Sequence, residues 1–173
     1  MHYTQTISSP LGNILLSADE VGLTGLWFDG GRYYADTLPE EHVERETPIL
    51  MDTKRWLDVY FTGREPDFTP PLHPAGSAFR MTIWRLLLQI PYGQTTTYGE
   101  LAKRLECGRM SAQAVGGAVG HNPISIIVPC HRVVGTNGSL TGYAGGLDRK
   151  IRLLEIEQTD MTGLFRPKKG TAI

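Results

Sequence analysis

Residues 66–76 read PDFTPPLHPAG, a proline-rich stretch that separates two compositionally different halves of the chain. Proline fixes its own backbone and lacks an N–H donor, so this density of prolines fits neither a helix interior nor a central strand. We therefore predict a linker here. One domain is expected over residues 1–76, with the linker included, and a second over residues 77–173.

The charge balance changes sign at the same place. Residues 1–78 carry 5 Lys and Arg against 12 Asp and Glu, whereas residues 79–173 carry 12 against 6. A basic half is typical of proteins that bind a polyanion such as DNA. Simple attraction between an acidic and a basic half would explain the same asymmetry, and charge alone leaves both explanations open.

The part before the linker predicts mainly strands. Residues 3–7, 13–18 and 23–28 are apolar or alternating segments separated by turn sequences. The acidic stretch 40–46 is expected to be a solvated surface loop. Apolar positions between 48 and 62 recur at helical spacing, and Gly63 is expected to end that helix.

The part after the linker predicts mainly helices. One helix should run from about Phe79 to Ile90, and two short ones over 98–106 and 111–119 are typical of a helix-turn-helix. Residues 124–128 are expected to form a buried strand and residues 149–157 a closing helix. The predicted fold class is therefore α+β: a small strand-rich N-terminal domain followed by a mainly helical C-terminal domain.

Composition excludes several classes of protein. The chain of 173 residues is 40% hydrophobic and 20% charged, which suits a packed core and not a disordered chain. No apolar run approaches the ~18–20 residues that cross a bilayer, and the N-terminus does not resemble a secretory signal. We expect a cytoplasmic location and no membrane partner. Cys107 and Cys130 cannot make a disulfide framework and lack metal-ligand spacing, so no metal is expected.

Cys130 lies in the most informative segment, residues 126–134, which read IIVPCHRVV. A thiol becomes a nucleophile when a neighbouring base or cation populates its thiolate. His131 is adjacent, but neighbouring side chains in a strand point to opposite faces. His131 could therefore help only if the chain turns at Cys130, or through a water. From these two residues alone, a buried structural cysteine remains an alternative.

The wider pattern resembles a known family. Asn122-Pro123, the PCHRV motif of residues 129–133 and the GYAGGL of residues 142–147 closely resemble the O(6)-alkylguanine-DNA alkyltransferases, also called methylated-DNA–protein-cysteine methyltransferases. The resemblance is strong over most of residues 79–158 and loose in the N-terminal part. It is greatest to the bacterial branch that is not fused to an Ada-type sensor domain.

This resemblance implies a DNA repair activity. An alkyl group on O(6)-alkylguanine, and also on O(4)-alkylthymine, in duplex DNA would be transferred irreversibly to a cysteine, without a cofactor, so each molecule would act once. Cys130 would be the nucleophile, His131 the base acting through an ordered water, and Glu157 the carboxylate that orients His131. Asn122 would brace the turn before the active-site strand, and Tyr98 would help rotate the target nucleotide.

The resemblance also implies a substrate pocket and a DNA surface. The guanine pocket would involve Val133, Tyr143, Ala144 and Gly145, with Tyr143 offering a flat face for stacking. The expected partner is double-stranded DNA containing alkylated guanine, bound by a monomer, with clustering of copies on DNA left open. DNA contacts are expected from the helix-turn-helix and the catalytic segment, namely from Gln113, Arg109, Ser111, Ala114, Gly117 and Arg132.

Gln113 departs from the family pattern. The family usually has an arginine at this place in the recognition helix, where it fills the gap left by the flipped base. Glutamine is shorter and uncharged. This departure concerns the efficiency of base flipping and leaves the chemistry unchanged.

Two other functions are weighed against repair. A damage-binding protein of the alkyltransferase-like kind shares the fold but has another residue in place of the cysteine, and Cys130 argues against it. A Cys-His-Glu hydrolase unrelated to DNA would leave the helix-turn-helix and the basic half unexplained.

Overall fold

A four-stranded sheet forms the N-terminal half in the computed structural model of the protein, which describes residues 1–105 and 112–168. The strands β1 (His2–Ile7), β2 (Ile14–Ala18) and β3 (Leu23–Phe28) pair antiparallel in succession, as the sequence predicts. The sheet order is β3-β2-β1-β4. The first turn closes at Gly12, whose φ of 107° lies in the region that glycine adopts without strain.

The fourth strand, β4 (His42–Glu44), corrects the expectation of a surface loop over residues 40–46. It pairs parallel with β1, with His2 opposite His42 and Thr4 opposite Glu44. All three of its residues are exposed. Because this strand is held by backbone hydrogen bonds at the edge of the sheet and buries no side chain, it leaves no hydrophobic pattern in the sequence.

Helix α1 (Pro48–Tyr60) packs against the sheet. Thr47 caps its N-terminus, and Pro48 occupies the first turn, where its missing N–H is not needed. The predicted linker then passes beside β3. The backbone of Leu23 donates to the Pro71 carbonyl and accepts from the His73 N–H, each at 2.7 Å. The linker is therefore anchored to the sheet.

The C-terminal half begins with α2 (Ala78–Leu87) and continues through a short strand β5 (Thr96–Thr97) into α3 (Tyr98–Lys103). Thr97 caps α3 by accepting from the Glu100 N–H at 3.1 Å. Helix α4 (Ala112–Gly120) packs against α3, as predicted for a helix-turn-helix. Residues 106–111, which include the predicted helix start at Ser111, lie outside the described residues.

The predicted strand over residues 124–128 is wrong. Only Ile124 makes a β-bridge, to Leu26, and the chain then turns, with Ile126 at a φ of 69°. Ile126, Ile127 and Val128 are all buried. The β-branched composition therefore reflects burial in the core, which a turn and a strand share, and does not distinguish the two.

After this turn come a 3₁₀ helix (Cys130–Arg132), the short strand β6 (Val133–Val134), which pairs parallel with β5, and the helix α5 (Leu147–Ile156). One hydrophobic core runs through both halves, from Leu26 and Tyr60 to Ile83, Val115 and Leu153. In the described part of the chain, no helix has the length and apolar character that a bilayer crossing needs.

Candidate active site

Cys130 begins the 3₁₀ helix and is 4% exposed. Cys130 therefore follows a turn and not the predicted strand over residues 124–128. The Cys130 N–H donates to the Val128 carbonyl at 2.8 Å and helps to hold this turn. The chain does turn at Cys130, which is the condition under which the adjacent histidine could serve it.

His131 is fully buried and pairs with Glu157, which lies directly after α5. His131 Nε2 and Glu157 Oε2 are 2.6 Å apart. An ionised carboxylate can only accept, so Nε2 carries the proton of this hydrogen bond. Burial lowers the pKa of His131, which keeps the ring neutral and leaves Nδ1 with its lone pair. Nδ1 is buried without a hydrogen-bond partner among the described residues.

Glu157 receives hydrogen bonds from several other elements. Arg132 donates from Nε to Oε1 at 2.8 Å and from Nη2 to Oε2 at 3.2 Å, and the Gly93 N–H donates to Oε1 at 3.1 Å. Tyr60 donates its hydroxyl to Oε2 at 2.6 Å. Burial acts to raise the pKa of Glu157, but the bonds from His131 and Arg132 outweigh it and lower the pKa to about 2. The carboxylate is therefore charged at neutral pH.

Arg132 points into the protein, whereas the sequence predicts that it contacts DNA. Its side chain is buried, and besides Glu157 it binds the Ile90 carbonyl through Nη1 at 2.7 Å. The guanidinium is turned toward the carboxylate because a buried charge needs a partner of opposite sign. Arg132 therefore supports Glu157 from inside the protein, and this placement does not fit a contact with a phosphate.

Two polar side chains act on the Cys130 thiol. Burial raises the pKa of Cys130, while a hydrogen bond from the Asn122 side chain and the positive charge of Lys150 act to lower it. The Asn122 amide also donates to the carbonyls of Ile124, at 3.2 Å, and Val128, at 2.8 Å. These two hydrogen bonds place the Asn122 side chain against the turn that leads to Cys130. The family resemblance implies the same placement for Asn122.

Lys150 is a functional candidate that the sequence analysis missed. It is fully buried in α5, and its Nζ donates to the carbonyls of Val133, at 2.6 Å, and Thr141, at 2.7 Å. Burial lowers its pKa to about 8. Its helical spacing to Leu153, Leu154 and Glu157 was the available signal, since it places a lysine on the buried face of the helix.

The predicted pocket residues divide into buried and accessible ones. Val133 is fully buried, and Tyr143 is 1% exposed with its ring edge-on to His131, at 6.4 Å between centroids. The Tyr143 ring is therefore buried, and neither of its faces is exposed for the stacking that the family resemblance implies. Gly145 lies against the Tyr143 ring so closely that a Cβ there would be 2.6 Å from Cε2. Ala144 lines an open cavity.

A cavity of about 710 Å³ lies beside this centre. Tyr98 lines it and donates its hydroxyl to the carbonyls of Thr141, at 3.1 Å, and Gly142, at 3.3 Å, so Tyr98 holds the segment that carries Ala144. From α4 come Gln113 and Gly117. A Cβ at Gly117 would meet nothing within 4 Å, so the missing side chain leaves open space on this face.

Ala114, Arg109 and Ser111 are the remaining predicted DNA contacts. Ala114 is half-buried in α4. Arg109 and Ser111, like the second cysteine, Cys107, lie outside the described residues. Among the described residues, no three His, Cys, Asp or Glu side chains come together as a metal site.

Two protein-family models match the chain. The model described as 6-O-methylguanine DNA methyltransferase, ribonuclease-like domain, matches residues 1–74. The model described as 6-O-methylguanine DNA methyltransferase, DNA binding domain, matches residues 78–159. The chain is 46% identical over 155 residues to the methylated-DNA–protein-cysteine methyltransferase of Methanosarcina acetivorans, covering 90% of this chain and 97% of that one. With the Haemophilus influenzae protein of the same name it shares 41% over 159 residues, covering 91% and 87%.

Solved structures are similar over the same length. Mycobacterium tuberculosis OGT, in a crystal structure in complex with DNA, has a TM-score of 0.80 and 38% identity, covering 94% of this chain and 99% of that one. An O6-methylguanine DNA methyltransferase from Methanococcus jannaschii has a TM-score of 0.64 and 27% identity, covering 98% and 99%.

Proposed function

Because the chain belongs to the 6-O-methylguanine DNA methyltransferase family, we propose that Cys130 is the residue that takes the alkyl group from O6-alkylguanine in DNA. The observation that carries this proposal is the buried 2.6 Å hydrogen bond between His131 and Glu157. It supplies a neutral base, held in one tautomer, at the residue after a buried thiol. The proposed nucleophile and base are thus neighbours in the chain, and the orienting carboxylate is hydrogen-bonded to the base.

The transfer is a single displacement. The thiolate of Cys130 attacks the alkyl carbon, and an S–C bond forms as the bond between that carbon and guanine O6 breaks. The electron pair of the broken bond stays on the base, which takes up one proton to become ordinary guanine. The thiol proton passes through an ordered water to Nδ1 of His131. Since a thioether is not displaced again, each molecule acts once.

The surroundings of Cys130 favour this step. A buried thiol is shielded from water, which would otherwise solvate and weaken the nucleophile. Burial alone would keep it protonated, so the Asn122 hydrogen bond and the Lys150 charge are needed to stabilise the thiolate. The neutral His131 ring then completes the activation by accepting the proton.

We propose that the cavity beside the centre receives the flipped nucleotide of double-stranded DNA. Tyr98 and Ala144 line it on the side of the pocket segment, and Gln113 and Gly117 line it on the side of α4, the second helix of the helix-turn-helix. A related protein, Mycobacterium tuberculosis OGT, forms a complex with DNA, which supports DNA as the partner. Arg109, Ser111 and Ala114 are proposed as further contacts.

We also propose a second substrate, a location and an oligomeric state for the protein. O4-alkylthymine is a second substrate, because it too carries the alkyl group on an exocyclic oxygen. The protein acts in the cytoplasm, and it acts on DNA as a monomer.

Mass spectrometry tests the proposal directly. Trypsin cuts after Arg104, Arg109 and Arg132, so Cys107 and Cys130 fall in different peptides and each controls for the other. After incubation with a duplex containing O6-methylguanine, we expect a gain of about 14 Da, one methyl in place of hydrogen, on the peptide with Cys130 alone. Cys130→Ala should gain nothing, and Cys107→Ser should behave as wild type. A methylated Cys107 peptide, or no adduct in protein that still binds the duplex, would contradict the assignment.

A further inference from the structure

The carboxylate that holds the proposed base is also bound from the N-terminal half. Tyr60, the last residue of α1, donates its hydroxyl to Glu157 Oε2 at 2.6 Å. The same oxygen is 2.6 Å from Nε2 of His131. Tyr60 and His131 are fully buried, and Glu157 is 2% exposed. Tyr60 lies in the sheet-bearing half, 97 positions before Glu157 in the sequence. One carboxylate oxygen of Glu157 therefore connects Tyr60 with the histidine next to Cys130.

The Tyr60 hydroxyl is not needed to hold its own ring in place. The ring stacks on Trp56, with centroids 5.3 Å apart, and meets Phe61 edge-on at 5.4 Å and Tyr92 edge-on at 6.3 Å. A phenylalanine would make the same ring contacts. What the oxygen adds is the hydrogen bond to Glu157, at a distance typical of a bond to a charged acceptor.

We propose that Tyr60 is a positioning residue for the alkyl transfer. Its hydroxyl shares Glu157 Oε2 with His131 and so sets how strongly the carboxylate holds the imidazole proton. The inference rests on the proposed function, since it assigns His131 as the base. It makes the N-terminal half part of the reaction centre.

The physical effect has a definite sign. A hydrogen bond from a neutral donor takes up part of the charge on Oε2, which weakens the attraction between Glu157 and a protonated His131. Without that donor, the carboxylate would stabilise the imidazolium more, and the pKa of His131 would rise. A protonated ring has no lone pair on Nδ1. The base would therefore be lost at a higher pH than in the wild-type protein.

The other groups around this pair stay in place when only the Tyr60 oxygen is removed. Arg132 and Lys150 are positive and act to lower the pKa of His131, and Glu157 acts to raise it. Cys130 and Arg132 are titratable groups on the same 3₁₀ helix as His131. Those that lie near His131 or Glu157 from other elements are Tyr92, Tyr143 and Lys150. A change in the pH profile can thus be assigned to the missing hydroxyl.

The experiment compares Tyr60→Phe with the wild-type chain. The rate of methyl transfer from an O6-methylguanine duplex is measured in single-turnover reactions between about pH 5 and pH 8.5. We expect the acid limb of the profile to move to higher pH by about half a unit or more in Tyr60→Phe. The matched control is Tyr92→Phe, because the Tyr92 hydroxyl is buried without a hydrogen-bond partner among the described residues. It should leave the limb where it is.

Two further measurements separate positioning from folding. NMR titration of the His131 ring should give a higher pKa in folded Tyr60→Phe. A fluorinated tyrosine placed at position 60 is a more acidic phenol and a stronger donor, so it should move the acid limb to lower pH. An acid limb and a His131 pKa that are the same in Tyr60→Phe and wild type would overturn the inference, as would an equal shift in Tyr92→Phe. Absence of methyl on Cys130 in the wild type would instead overturn the proposed function.

Discussion

Arg132 donates two hydrogen bonds to Glu157 inside the protein, from Nε to Oε1 at 2.8 Å and from Nη2 to Oε2 at 3.2 Å. The PCHRV motif, which carries the proposed nucleophile Cys130, thus also carries the cation that helps to keep Glu157 ionised, although Glu157 lies 25 positions further along the chain. Because two-point binding fixes the plane of the carboxylate, it also fixes the direction from which Oε2 meets His131.

Removing the guanidinium should destabilise the fold. Arg132→Met keeps an unbranched apolar side chain but leaves the Glu157 charge buried with fewer partners, and breaking a buried pair costs about 3–5 kcal/mol. Urea denaturation at pH 7 measures the change. The control is Arg166→Met, which breaks an exposed pair with Asp148 at 2.8 Å and should cost less than about 1 kcal/mol. Similar losses in both variants would contradict the prediction.

Stability should depend on pH through Glu157. Its pKa of about 2 in the folded protein lies below the 4.5 of a free side chain, because donors outweigh burial. The unfolded chain therefore takes up the proton first as the pH falls, and the stabilisation, complete above about pH 5, is lost between about 4.5 and 2. We expect Glu157→Gln to be less stable than wild type at pH 7, with a smaller difference at pH 3. A difference that is constant with pH would argue against this.

Lys150 should promote transfer through its charge. Lys150→Met removes the cation that acts to lower the pKa of Cys130 and also the two bonds to the Val133 and Thr141 carbonyls. We expect the transfer rate at pH 7 to fall by about tenfold, which corresponds to about one unit in the thiol pKa. Lys54→Met, at an exposed position of α1 outside the helix-turn-helix, is the control. A rate equal to wild type in folded Lys150→Met would contradict the assigned role.

Gln113 should limit repair of duplex DNA. Extruding a nucleotide costs a few kcal/mol, and an arginine can stack in the vacated space and attract phosphates, whereas glutamine is neutral and shorter. Gln113 is exposed on the cavity wall, so an arginine there has room. Gln113→Arg should speed repair of duplex by up to about tenfold, if about 1.4 kcal/mol is recovered.

The control for this prediction is a free alkylated guanine base, which needs no flipping. Gln113→Arg should change the rate on the free base little. An equal gain on both substrates would mean that position 113 acts on the chemistry, and no gain on duplex would mean that another residue already fills the gap.

Local sequence patterns predicted much of the fold. The three antiparallel strands and the helix α1 were predictable because alternation and helical spacing depend on neighbours within a few residues. The edge strand β4 was not, since its pairing involves only the backbone. The turn over residues 124–128 was mistaken for a strand because buried β-branched residues look alike in both.

Cys130 and His131 stand out in one short motif, but their proposed roles, like that of Glu157, come from the family resemblance. The partners of that carboxylate are a different matter. Tyr60, Gly93 and Arg132 come from distant parts of the chain. The hydrogen-bond donors of a buried charge are those that packing places at a donor–acceptor distance of about 3 Å. Hence Arg132, a basic residue that sequence reasoning assigned to DNA, turns inward to Glu157, and Lys150 becomes a neighbour of Cys130. Sequence patterns specify which side chains must be buried, but the pairing of buried charges depends on long-range packing.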